Sequence, residues 1–186
     1  MSEKDFMVEK ATPTPPSPSC DWKLSHRADR EALPIADRHY NRQKVGSPQF
    51  VSPGRCLVLL CVTGSALWVT SWPFAQFVKH EWAGAWVNSC FRRESGPLAS
   101  ELIREAVAVT RWNWPNVPEL GIVTFIDRGK VKRKRDFGRC YLRAGFTVAG
   151  ETKGGLLALQ MKPSEMPSPM EPLESQQLLE ITDEKR

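Results

Sequence analysis

The chain predicts one α/β domain, a mixed and mainly antiparallel central sheet with helices on both faces, between two tails. Three observations carry this expectation. Prolines crowd the ends: Pro13, Pro15, Pro16 and Pro18 precede the first apolar run, and Pro163, Pro167, Pro169 and Pro172 follow the last. A residue with fixed φ and no N–H cannot enter a helix or sheet interior, so residues 1–20 and 163–186 read as disordered tails around a domain of 21–162. Between the tails, apolar runs of strand length alternate with helical periodicity. The 186-residue length holds one such domain comfortably.

The elements follow in order. Alternating Asp and Arg around Ala28 to Ala36 predict a short helix, broken at Pro34. Gly46-Ser47-Pro48 and Ser52-Pro53-Gly54 are turn residues and predict a loop. Cys56 to Val62 is a continuous apolar strand, turned by Thr63-Gly64-Ser65 into a returning strand, Ala66 to Trp72. Pro73 opens a short helix through Phe77 and Val78, since proline suits the first helical position. A third strand, Ala85 to Phe91, runs into the polar loop Arg92 to Pro97. In the next helix Leu102, Ile103, Ala106 and Val107 share one face, and Ser100 reads as its N-cap. After a connection with two prolines, Gly121 to Asp127 is a β-branched and aromatic strand. Residues 136–144 form a helix stopped by Gly145, and two strands, Phe146 to Ala149 and Leu156 to Met161, form a closing hairpin.

Charge narrows the partners. The tails carry −1 and −4 against +5 for the whole chain, which leaves +10 on residues 21–162. A core that basic fits a polyanion such as nucleic acid, or a phosphate-bearing cofactor. The densest run is Lys130, Lys132, Arg133, Lys134 and Arg135, which can position a nucleic-acid backbone without reading its sequence. Lys153, among the glycines of the last hairpin, is a further phosphate candidate. Five cysteines without a C-x-x-C pair argue against a disulfide framework and a structural zinc site. A polar N-terminus and an apolar run broken at Thr63-Gly64-Ser65 predict no membrane partner and a cytoplasmic protein.

The element order, with RDFGRCYLRAGF at Arg135 to Phe146, resembles the GNAT acyltransferase fold. Tyr141 stands four residues before Gly145, and the resemblance implies that it protonates a departing thiolate. The loop RRESGPLASEL stands where such enzymes bind a cofactor pyrophosphate, which assigns Arg92, Arg93, Ser95, Gly96 and Ser100 to the cofactor. This sequence departs from the family's pattern at Lys134, at Phe137 and in the spacing of glycines in that loop, and Pro97 lacks an N–H. The acyl donor is therefore open, acetyl-coenzyme A being one candidate.

HYNR at 39–42, GSPQFVSPGRCLVLL at 46–60, FRRESGPLASELIREA at 91–106 and GRCYLRAGF…GETKGGLLAL together look like phage Mom-type DNA-modification proteins, which are divergent GNAT relatives. This resemblance covers roughly residues 37–162. It implies transfer of a small acyl-type group to an adenine amine, with DNA, or else tRNA, as partner.

A nucleobase amine is a poor nucleophile, and base or metal assistance would help it. By residue type His39 and Tyr40 are the candidates for that role, and His80 and Asp37 are further groups that could meet His39 in space, although no metal-ligand spacing is visible. Asp127 ends a strand beside the basic run and reads as a turn or cap residue. Trp68, Trp72 and Trp86 fall on strands and belong to the core, whereas Trp112 and Trp114 flank a loop and are candidates for a flipped-base pocket. Two other functions fit the same residues: a non-catalytic nucleic-acid-binding protein of GNAT-like shape, and an ordinary acetyl-coenzyme A-dependent N-acetyltransferase.

Overall fold

The computed structural model describes residues 22–131 and 136–173. Seven strands form one sheet: β1 (Trp22–Ser25), β2 (Arg55–Cys61), β3 (Ala66–Trp72), β4 (Trp86–Arg93), β5 (Ile122–Ile126), β6 (Thr147–Glu151) and β7 (Leu157–Met161). Three α-helices accompany them: α1 (Leu33–Asp37), α2 (Ala99–Asn113) and α3 (Arg139–Ala144). The strand order is β1-β2-β3-β4-β5-β7-β6, and every neighbouring pair is antiparallel except β4 and β5. That parallel pair needs a crossover, which α2 supplies.

Period-2 alternation on β2 sorts the core. Leu59 and Cys61 pack with Leu102, Ile103, Ala106 and Val107 of α2, while Val58 and Leu60 pack with Ile35 and Ala36 of α1. The apolar stripe read from the sequence is the buried stripe of α2. Its start differs: the N-cap is Leu98, whose backbone N–H donates to Glu101 Oε2 at 3.2 Å, so Ser100 sits inside the first turn.

Four departures from the sequence expectations have local causes. The charged segment contains β1, an edge strand of only four residues whose Trp22 is buried and donates from Nε1 to the Leu102 carbonyl at 3.2 Å. Too short to show alternation, it is held by that indole. The expected helix after Pro73 is a single 3-10 turn at Ala75–Phe77 with no buried residue. Cys61 is disulfide-bonded, whereas the cysteine pattern had argued against a disulfide framework.

The fourth departure moves the edge of the domain. Residues 163–173 stay on the fold: Met166 is buried in the main core, and Arg111 Nη1 donates to the carbonyls of Met166 and Pro167. Proline bars a strand here but not an extended segment whose carbonyls find a cation. The remainder of that tail, 174–186, and the expected N-terminal tail lie outside the described residues. Replacing Met166 with alanine is expected to cost about 2–3 kcal/mol, read as a lower urea midpoint. Among the described residues no helix is long and apolar enough to cross a membrane.

Candidate functional site

The site begins where two strands part. β4 and β5 pair only at Trp86↔Ile122, Val87↔Val123 and Asn88↔Thr124. One residue later β4 bulges: Thr70 faces Asn88 but Val69 faces Cys90, which leaves Ser89 as the extra residue. A bulge bends its strand and re-aims side chains, and here it carries the end of β4 away from β5. A cleft of about 470 Å³ opens into the gap, within the range of ligand pockets.

Asn88 closes the floor of this cleft. Its Nδ2 donates to the carbonyls of Val69 and Cys90, both at 3.0 Å, and so replaces ladder bonds at the bulge. Its Oδ1 accepts the Tyr141 hydroxyl at 2.6 Å. Thr124 Oγ1 lies 3.3 Å from the Asn88 carbonyl and 3.4 Å from Oδ1, and also hydrogen-bonds the Tyr141 oxygen. Tyr141 reaches this point because α3 is short and capped at both ends by positive-φ glycines, Gly138 and Gly145, which turn Tyr141 and Ala144 inward. A Cβ on Gly138 would lie 2.4 Å from Leu159 Cδ1, so only glycine lets α3 start this close to the sheet. Burial holds the Tyr141 phenol well above its ordinary pKa, and it stays protonated.

The opposite wall comes from the segment after α1. His39 and Tyr40 stack at 4.6 Å between ring centroids, and the Tyr40 hydroxyl hydrogen-bonds the Asp127 backbone at the end of β5. Arg42 fixes this segment: its Nε meets Asp37 Oδ1 at 2.7 Å, Nη2 meets the Ser47 carbonyl at 2.7 Å and Nη1 the Gln49 carbonyl at 3.2 Å. Arg38 binds Glu94 through two bonds of 2.6 Å, and Arg92 donates to both Glu94 and the Arg38 carbonyl. These two arginines hold the Glu94 carboxyl at about 2.

Burial, and then the Arg92 charge, lower the His39 pKa to about 4. The Asn41 backbone N–H points at Nδ1 from 3.3 Å, which makes Nδ1 the acceptor and places the ring proton on Nε2. His39 is thus neutral, with Nε2–H as its free donor. Burial also raises the pKa of the Tyr40 phenol. The Cys90 thiol, pushed up to about 12 by burial, is not a thiolate nucleophile. A stability effect follows from His39. Between its ordinary 6.5 and about 4, the unfolded chain takes up a proton that the folded chain refuses. Stability is therefore full above 6.5 and falls as the pH drops through that window, by about 2–3 kcal/mol. His39→Gln is expected to flatten that part of the pH profile of urea unfolding.

Of the sequence candidates, Tyr141, His39, Tyr40, Arg92, Arg93 and Lys130 line this one cleft. Ser95, Gly96 and Ser100 do not line it; Arg93 donates instead to the carbonyls of Gly96 and Pro97, which shapes the loop before α2. Ala99, the first residue of α2, does line it. Lys153 is exposed in the β6–β7 turn, away from the lining, and Lys132, Arg133, Lys134 and Arg135 lie outside the described residues. Asp127 is a turn residue, its Oδ1 accepting Gly129 N at 2.9 Å.

His80 and Asp37 do not gather on His39. His80 packs on Trp82 and Phe125 and Asp37 binds Arg42, and among the described residues no group of three His, Cys, Asp or Glu can hold a metal ion. Trp114 is buried against Trp72 and Trp86, and neither it nor Trp112 reaches the cleft, so the flipped-base pocket is not there. Sequence reasoning missed Asn88 and Thr124; the available signal was a polar residue at a core-facing position of each strand. No family model, curated protein or solved structure matches this chain.

Proposed function

We propose that the protein is a GNAT-like, Mom-like enzyme that transfers a small acyl-type group to an amine of a nucleobase in DNA. The observation that carries this reading is the composition of the cleft. Arg92, Arg93, Lys130, the Tyr141 phenol and the His39 imidazole line it, and among the described residues no Asp or Glu does. Such a site repels a protonated alkyl amine of a lysine or polyamine. It accepts an uncharged aromatic amine and an anionic donor. The element order, with one parallel β4–α2–β5 crossover in a mainly antiparallel sheet, supports a GNAT-like frame.

In this reading the amine nitrogen attacks the acyl carbon and the carbonyl oxygen takes up negative charge. The His39 Nε2–H and Arg92 supply positive charge and a donor to that oxygen. The bond to the leaving group breaks as Tyr141 gives it a proton, its O–H turning away from Asn88 Oδ1. The nitrogen releases one proton and the leaving group gains one, so Tyr141 is restored from solvent without net change. The donor this chemistry admits is an activated acyl group of the anhydride or thioester class, acetyl-coenzyme A among its members.

Mass spectrometry of nucleosides from DNA and tRNA of a host expressing the protein, against an empty-vector control, tests the reading. The expected result is a new nucleoside whose mass identifies the group. The second reading, a non-catalytic nucleic-acid binder, draws support from the arginines, because Arg92 is engaged by Glu94 and Arg93 by loop carbonyls. It predicts binding without a new nucleoside.

A further inference from the structure

The segment that follows β7 travels along α2 toward the cleft. Arg111 Nη1 donates to the carbonyls of Met166 and Pro167, and the Met170 N–H then donates to the Ala108 carbonyl at 3.1 Å. The chain thus advances toward the N-terminal end of the helix, and Pro172 is still buried. At that end stands Ala99, a residue of the cleft lining. From Ala108 to Ala99 the helix rises about 14 Å, and six extended residues already cover about 20 Å. Residues 174–186 come next in the chain, with Glu174, Glu180, Asp183 and Glu184 against Lys185 and Arg186.

The cleft has the opposite sign. Arg92, Arg93 and Lys130 line it, and among the described residues no acid does. Arg38 and Arg92 share the carboxylate of Glu94, while Arg93 donates to the neutral carbonyls of Gly96 and Pro97. Three guanidinium groups therefore stand beside one acid. Lys130 Nζ lies 3.8 Å from Asp127 Oδ2, too far for a hydrogen bond, and its side chain is 52% exposed. Such an excess of positive charge attracts any carboxylate within reach. A segment tethered beside the cleft is present there at an effective concentration of roughly millimolar, so weak ion pairs suffice to hold it.

We propose that the acidic segment 174–186 docks in this cleft as an internal anion, with Glu180, Asp183 and Glu184 on Arg93 and Lys130. An anionic ligand then enters by displacing it. Anions of low charge are shut out, whereas a ligand with several negative charges outcompetes the segment. Charge and chain path carry this, independently of acyl transfer.

The test is zero-length carbodiimide crosslinking of the full chain at low ionic strength, in an equal mixture of nitrogen-15-labelled and unlabelled protein, with adducts mapped by peptide mass spectrometry. Amides from Glu180, Asp183 or Glu184 to Lys130 are expected within single chains. They should vanish near 1 M salt, where the screening length falls to about 3 Å. Amides only to other lysines, none at all, or amides joining labelled to unlabelled chains each overturn the proposal, the last by placing the segment on a second copy. A full-length Glu180→Gln/Asp183→Asn/Glu184→Gln variant gives a second measurement. Acetic anhydride should modify its Lys130 about fivefold faster than in the parent, relative to Lys153 in the β6–β7 turn, the combined worth of roughly two exposed ion pairs. An equal rate overturns the proposal. Neither measurement depends on transfer, so a protein that makes no modified nucleoside yet forms the crosslink loses the acyl-transfer reading alone.

Discussion

Tyr141→Phe is expected to slow the proposed acyl transfer by about 10²-fold or more, the usual worth of a positioned general acid. The ring is buried against Phe91 and Phe146, with edge-on contacts at 6.1 and 5.3 Å, and phenylalanine keeps both. What is lost is the proton and the bond to Asn88 Oδ1 at 2.6 Å. That bond contributes about 1 kcal/mol to stability, a small change beside the kinetic one. The two effects separate in the measurement: single-turnover rates on a modified substrate against urea unfolding of the same variant. A thiolate or other leaving group that departs readily without a proton would show itself as a rate left unchanged, and would remove Tyr141 from the chemistry.

Asn88→Ala is expected to be the most damaging single truncation of the site, at about 3–5 kcal/mol. Asn88 is buried, and it satisfies the Val69 carbonyl, the Cys90 carbonyl and the Tyr141 hydroxyl at once. Removing it strands these groups without water, and each buried polar group left unpaired costs about 1–3 kcal/mol. The midpoint of thermal unfolding should fall by roughly 10 °C. Asn88→Asp offers a second measurement. It keeps an oxygen for Tyr141 but loses the two donors, so it should restore part of the phenol's position without restoring the bulge. If both variants unfold like the parent, the bulge does not depend on Asn88.

Some of this site was readable from local pattern. Tyr141 was singled out by the family resemblance, four residues before Gly145, and the positive-φ glycine that ends the helix was legible as a stop; the inward residues of α3 are Tyr141 and Ala144. The strand extents of β2, β3, β5 and β7 came from apolar runs bounded by turn residues, and the buried face of α2 from its 3.6-residue period. Other features left no local mark. Asn88 stands in Trp86–Arg93 as one polar residue among others, and nothing nearby says that Ser89 will be the extra residue of a bulge. His39 reaches the cleft through Arg38 and Arg92, which meet at Glu94 across more than fifty positions of sequence. Trp114 looked like a loop residue, yet the chain turns back after α2 and buries it against Trp72 and Trp86.

The order of most strands and helices, the basic balance of residues 21–162 and the glycine stop of α3 are thus properties of the chain itself. They depend on spacing and composition, which act over a few residues. The parting of β4 from β5, the meeting of Tyr141 with Asn88 and Thr124, and the neutral state of His39 arise in the folded molecule. Each depends on groups far apart in sequence, and desolvation, which shifts the phenol and the imidazole, exists only once those groups have closed around them.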